Sequence, residues 1–91
     1  MRSTVFTSKS PNLDLHGERP DTIEVIINDF INYNAILGNK YISIVHGKGS
    51  GAIKNKTYDI LKNNSRVLDF KLNNWNTGET IVHLDNEKNL H

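Results

Sequence analysis

Two short stretches hold the side chains of this 91-residue chain that could do chemistry together. Asp14-Leu15-His16-Gly17 offers a carboxylate and an imidazole, and His46-Gly47-Lys48-Gly49-Ser50-Gly51 offers a second imidazole, an ammonium and three glycines at alternate positions. An imidazole can take a proton from water or a ribose hydroxyl. A lysine and backbone N–H groups can stabilise the charge that builds on a phosphorane, and a carboxylate can orient a histidine or hold a metal ion. The reaction these groups fit is phosphodiester cleavage, with Asp14, His16 and His46 as the catalytic candidates. Gly47, Lys48, Gly49, Ser50 and Gly51, with Lys54 just beyond, are the candidates for gripping phosphate. The same residues also admit a structural reading, in which a strand-end histidine is hydrogen-bonded for packing, Asp14 caps backbone N–H groups and the glycines make a tight turn.

For these groups to converge, two strands must end at the same rim. Tyr41 to Val45 is an apolar, β-branched run that reads as a buried strand, and it breaks into the glycine stretch. Beyond the glycines, Ile53, Thr57, Ile60 and Leu61 recur at helical spacing, so the loop feeds the start of a helix over Ala52 to Asn64. Such a strand, glycine turn and helix start favour an anion, because glycines let N–H groups face a ligand and the helix start is partially positive. Leu13-Asp14-Leu15 reads as a short strand with its leucines on one face and Asp14 on the other. Glu18-Arg19-Pro20-Asp21 reads as the opening of another helix, with Asp21 and Glu24 resembling a capping box. Ile23, Ile26, Ile27, Phe30, Tyr33 and Leu37 form its apolar stripe, and Gly38 stops it. Val67 to Leu72 is a strand predicted to place Leu68, Phe70 and Leu72 on one face, and Thr80 to Leu84 is a last strand after a polar loop containing Trp75. The order β-α-β-α-β-β predicts an α/β (α+β) two-layer sandwich, with two helices packed on a four-stranded mixed sheet. If the first two strands are parallel neighbours, their carboxyl ends lie together and bring Asp14, His16, His46 and Lys48 to one crevice.

Length and composition bound the rest. A chain of 91 residues supports one modest core. Residues 1–11 read as a polar leader or linker, 12–85 as the folded unit and 86–91 as a polar tail. The absence of cysteine excludes a disulfide framework and a thiolate metal site. No membrane partner is expected, since no apolar run approaches the roughly 20 residues of a membrane span, and the first residues lack the apolar stretch of a signal peptide. The cytoplasm is the default compartment. Net charge is only +1, but Lys40 to Lys71 holds seven basic and two acidic residues, a local +5, while the segments on either side are each −2. Positive charge concentrated on the glycine loop and its helix attracts polyanions, although lysines on an exposed helical face also serve simply to solvate it.

The glycine stretch fits neither common nucleotide motif. It lacks the G-K-[ST] ending of a Walker loop, its glycines are not spaced G-x-G-x-x-G, and the chain is too short for two mononucleotide-binding halves. ATP and NAD are therefore disfavoured. His83, inside the last strand, and His91, at the terminus, have no metal-ligand spacing to another histidine. Trp75 and Tyr41 could stack on bases, although a hairpin tryptophan more often folds down over the sheet edge.

Leu13-Asp14-Leu15-His16-Gly17, His46-Gly47-Lys48-Gly49 and Gly78-Glu79-Thr80-Ile81-Val82-His83-Leu84, in this order and spacing, resemble the three motifs of the Smr, or small MutS-related, domain. The resemblance covers about Asn12 to Asp85. It implies a fold similar to the carboxyl-terminal domain of translation initiation factor three, and DNA or RNA binding mainly through the phosphate backbone. It also implies endonuclease activity of the kind several members show, by nicking DNA or cleaving RNA. The resemblance points to Asp14 and His16 from the first motif, to His46, Gly47 and Gly49 from the second and, less specifically, to Lys71 as a basic residue on the third strand. His16 stands where members associated with nicking carry arginine, which leaves DNA and RNA both open. No cofactor is required by the residues themselves, although cleavage of this kind could draw on a divalent ion, magnesium or manganese. The implied setting is a MutS-like parent chain acting in recombination control or ribosome rescue, with the ribosome as a further partner and a non-catalytic docking module as the alternative. The polar leader suits a domain cut from such a parent.

Overall fold

The computed structural model describes residues 10–49 and 51–85. The leader up to residue 9, the tail 86–91 and Ser50 lie outside the described residues. The elements run β1 (Asn12–Asp14), α1 (Ile23–Leu37), β2 (Tyr41–Val45), α2 (Ala52–Lys62), β3 (Val67–Leu72) and β4 (Glu79–Leu84). They form two helices and one four-stranded mixed sheet in the order β1-β2-β4-β3. β1 runs parallel to β2, with Asp14 in register with Val45, while β4 pairs antiparallel with both β2 and β3. The ladder continues past β1 through Leu15 N–H, which donates to Val45 O at 2.9 Å.

The core lies on one face of the sheet. Leu15, Ile42, Ile44, Val82 and Leu84 meet Ile23, Ile27 and Ile31 of α1 and Ile60 and Leu61 of α2 in one cluster of buried side chains. Alternation along the strands leaves Tyr41, Val45, Ile81 and His83 on the helix-free face, together with Asp14 and Glu79. Burial of each large core side chain stabilises the fold by roughly 1.5–3 kcal/mol before entropy is subtracted.

Three sequence expectations change. The α1 stripe comprises Ile23, Ile27, Ile31, Asn34 and Ala35, whereas Tyr33 is 64 % and Leu37 48 % exposed. The buried line follows steps of four, three and one and so winds away from Tyr33, and it can admit Asn34 because that amide is satisfied. Its Nδ2 donates to Phe30 O and its Oδ1 accepts from Asn39 Nδ2, both at 2.8 Å. The capping box does not form. α1 begins one residue after Thr22, which makes no side-chain cap, because the Thr22 hydroxyl donates to Arg19 O at 2.9 Å and Asp21 pairs with Arg19 at 3.2 Å. Finally, β3 carries an irregularity between Val67 and Asp69, which pair with consecutive residues of β4. The extra residue puts Val67 rather than Leu68 against the core, and Leu68 is exposed.

Truncating Ile31 to alanine is expected to cost about 2–5 kcal/mol in urea unfolding, and Tyr33→Ala about 0.5 kcal/mol or less. Comparable losses would mean that α1 is rotated from the orientation described.

Candidate functional site

The parallel pairing of β1 and β2 brings the two chemistry-bearing stretches to one rim. Asp14, Leu15, His16, Gly17 and Glu18 from the end of β1 share a hollow of about 300 Å³ with Val45, His46 and Gly47 from the end of β2. Asp14 is exposed, and its Oδ1 accepts from the backbone N–H of His16 at 2.8 Å. The carboxylate thus forms a two-residue turn that sets the position of His16, the structural use of an aspartate at a strand end. His16 is exposed in that turn.

His46 is placed differently. Only 9 % of its surface is exposed, and both ring nitrogens are engaged inside the protein. Nδ1 lies 3.1 Å from Gly47 O and Nε2 lies 2.8 Å from Thr80 Oγ1. Because a carbonyl can only accept, Nδ1 carries the proton and Nε2 accepts from the Thr80 hydroxyl. Thr80 Oγ1 also lies 3.5 Å from the Tyr58 hydroxyl. The ring also meets Tyr58 edge-on at 6.3 Å, and Tyr58 in turn meets Phe70 at 5.2 Å. Burial holds the His46 pKa below the ordinary 6.5, a Gly47 hydrogen bond opposes this, and Lys54 adds to the lowering while Glu79 offsets it. The imidazole is neutral at pH 7.

The glycine loop is clamped from β4. The N–H groups of His46 and Gly47 both donate to Gly78 O at 2.9 Å. These two amides, which the sequence suggests are available to an anion, therefore belong to the fold. Gly78 is the residue that motif reading passes over as a site member. A Cβ there would meet Gly47 C and Lys48 Cγ at 3.1 Å and Gly47 Cα at 3.2 Å. A side chain there would have to push the loop backbone aside by a few tenths of an ångström for the hairpin to close on it.

Gly47, Lys48 and Gly49 are exposed to solvent. Gly47 and Gly51 sit at φ of +89° and +90°, which disfavours any side chain there, whereas Gly49 has no positive φ and a Cβ on it would meet nothing within 4 Å. Gly47, Lys48, Gly49, Gly51, Lys54 and Thr77 line a second hollow of about 90 Å³. α2 begins one residue past Gly51, so its partially positive end stands beside the two ammonium groups at this hollow. Gly47 separates the lysine hollow from the one lined by Asp14 and His16. Ser50 lies outside the described residues.

Lys71 is not part of this arrangement. It sits on β3, in register with Ile81, and lines a separate hollow on the helix-free face with Tyr41, Asp69 and His83. Among the described residues no group of three or more His, Cys, Asp or Glu could hold a metal ion.

Comparison with known proteins agrees with the fold and the motifs. The family model for the Smr domain matches residues 13–85. Endonuclease MutS2 of Ligilactobacillus salivarius is 34 % identical over 86 residues, covering 91 % of this chain and 11 % of that protein. Endonuclease MutS2 of Geobacillus sp. is 37 % identical over 75 residues, or 79 % of this chain and 10 % of that protein. The chain thus spans about a tenth of the length of the curated relatives it matches. Among solved structures, the Smr domain of Thermus thermophilus MutS2 superposes with a TM-score of 0.78 at 25 % identity, over 81 % of this chain and 96 % of that one. YdaL, a stand-alone small MutS-related protein from Escherichia coli, superposes at 0.77 with 21 % identity, over 86 % and 69 % of the two chains.

Two outcomes follow from the clamp. Gly78→Ala must push the loop backbone by a few tenths of an ångström, so chemical shifts of residues 46–49 are expected to move while those of the α1 core stay in place; an unchanged loop would remove the clamp. For His46, the stability that its lowered pKa confers is complete above pH 6.5 and is lost as pH falls from there towards the folded value, because the unfolded chain takes up a proton that the folded one resists. The unfolding temperature should fall over that window, and His46→Gln should remove this part of the slope.

Proposed function

The chain belongs to the Smr domain family, and on that premise we propose that it binds nucleic acid through the phosphate backbone and cleaves a phosphodiester bond at the rim where β1 and β2 end. The observation that carries this reading is the pair of adjoining hollows. One offers an exposed carboxylate and imidazole, and the other offers two lysines beside the start of α2. Lys48 and Lys54, with Gly49 and Gly51 allowing close approach, hold a phosphate and stabilise its developing negative charge. His16 takes the proton of the attacking hydroxyl as the new P–O bond forms, and the leaving oxygen collects a proton from the imidazolium or from water. Asp14 keeps His16 in place through the turn and adds a negative charge to the rim where the proton is drawn off.

His46 acts in this scheme as a positioning residue for the loop, since its two nitrogens are occupied by Gly47 O and Thr80. No step is routed through a metal ion. Contacts made to phosphates and few to base edges imply little sequence preference, on DNA or RNA. The relatives are named Endonuclease MutS2, and we propose that this domain serves a MutS-like parent in recombination control or ribosome rescue. A second reading, a docking module that binds nucleic acid or the ribosome without cutting it, draws support from the engagement of His46 within the fold.

Cleavage of plasmid DNA and of structured RNA, with and without magnesium or manganese, tests the proposal. Asp14→Asn keeps an oxygen for the His16 amide and removes the charge, so it should slow cleavage while leaving the unfolding temperature in place. His16→Ala should slow cleavage by roughly 10²–10⁴-fold. Wild-type rates in both variants would remove these residues from the mechanism, and binding without cleavage under every ion condition would establish the docking module. Lys48→Ala and Lys54→Ala should each flatten the dependence of log K on log salt by about one phosphate contact, a slope change of roughly 0.9 on duplex DNA.

A further inference from the structure

Trp75 is 96 % exposed, against the expectation that a hairpin tryptophan folds down over the sheet. The turn that carries it is held by its own polar groups. Trp75 N–H donates to Asn73 Oδ1 at 2.8 Å, Gly78 N–H to Asn76 Oδ1 at 3.0 Å, and Asn73 Nδ2 to Glu79 Oε1 at 2.8 Å. Backbone bonds from Asn76 N–H to Asn73 O and from Glu79 N–H to Asn76 O close the turn. An indole presented from an ordered turn has met the backbone part of the ordering cost before any partner arrives.

The same turn is tied to the phosphate-facing loop. Thr77 lines the lysine hollow, and Gly78 O accepts from His46 and Gly47. Trp75 and Gly78 are three Cα-to-Cα steps apart, so even a fully extended chain would put the two Cα atoms no more than about 11 Å apart. An exposed aromatic ring on the turn whose Thr77 lines the lysine hollow offers a face to the base of a nucleotide whose phosphate sits at the loop. The Tyr41 and His83 rings on the helix-free face offer less, because they already stack on each other at 4.7 Å and share their hollow with Asp69 as well as Lys71.

We infer that Trp75 stacks on an unpaired base of the strand whose phosphate occupies the lysine hollow, which makes single-stranded or locally unpaired nucleic acid the preferred substrate. This rests on the nucleic-acid reading above and narrows it. In a duplex each base already stacks on its neighbours and shows the protein only an edge, so the indole gains nothing there. In a single strand every base has a free face, whatever its identity.

Trp75 is the single tryptophan of the chain, so its fluorescence reports the contact directly. Titration with an unstructured oligonucleotide should quench its emission, and titration with a blunt duplex of the same length should leave it nearly unchanged. Trp75→Ala should weaken single-strand binding by roughly 5- to 100-fold and duplex binding less than about twofold, with the unfolding temperature unchanged. Trp75→Phe should restore most of the difference. Unquenched emission with wild-type affinity in Trp75→Ala would overturn the inference, as would equal losses on single strands and duplexes. If Lys48→Ala weakens binding in those cases, the nucleic-acid reading stands without the stack. If the wild-type chain binds neither oligonucleotide, the nucleic-acid reading fails and the inference falls with it.

Discussion

One carbonyl holds the candidate site in place. Gly78 O takes the N–H groups of both His46 and Gly47, so the pairing between β2 and β4 continues past the last residue of β2 and pins the first turn of the glycine loop to the sheet. The loop would otherwise be a glycine-rich segment with the highest conformational entropy to lose on ordering. The clamp spends two amides to fix the geometry of those that follow. It also explains why Gly78 suits this position, since a Cβ there would press at 3.1 Å on the Gly47 backbone itself.

A second support lies beneath the first. The His46 ring, neutral and nearly buried, joins Gly47 O above to Thr80 and Tyr58 below. Tyr58 belongs to α2 and meets Phe70 of β3. The rim is therefore coupled to the helix whose start faces the lysine hollow and to the far edge strand. A buried polar group earns a stable place only when its hydrogen bonds are made, and here the partners are spread over three elements. The outcome is a division of labour, with the interior histidine shaping the loop while the exposed Asp14 and His16 face solvent.

Charge follows the same division. The glycine-loop side of the rim carries Lys48 and Lys54 beside the start of α2, while the helix-free face mixes Asp69 and Glu79 with Lys71. A polyanion is drawn to the first surface and gains little from the second. A nearly neutral molecule can in this way present one strongly attractive edge.

Most of the architecture was legible in the sequence because it depends on short-range patterning. Apolar alternation in residues 41–45 and 80–84, helical spacing in residues 53–61, and turn residues such as Gly38 specify element type, and parallel pairing of β1 and β2 follows from an intervening helix. The convergence of Asp14, His16 and His46 at one rim was legible for the same reason. What the sequence could not decide were matters of phase and partnership. A one-residue bulge in β3 turned Leu68 outward, and the α1 stripe wound onto Asn34 rather than Tyr33, because burial depends on which neighbour satisfies or fills each position. Whether His46 faces substrate or fold, where Lys71 stands and why Gly78 has no side chain were settled only when β4 inserted between β2 and β3. Those contacts join residues more than thirty positions apart along the chain, and no local pattern encodes them.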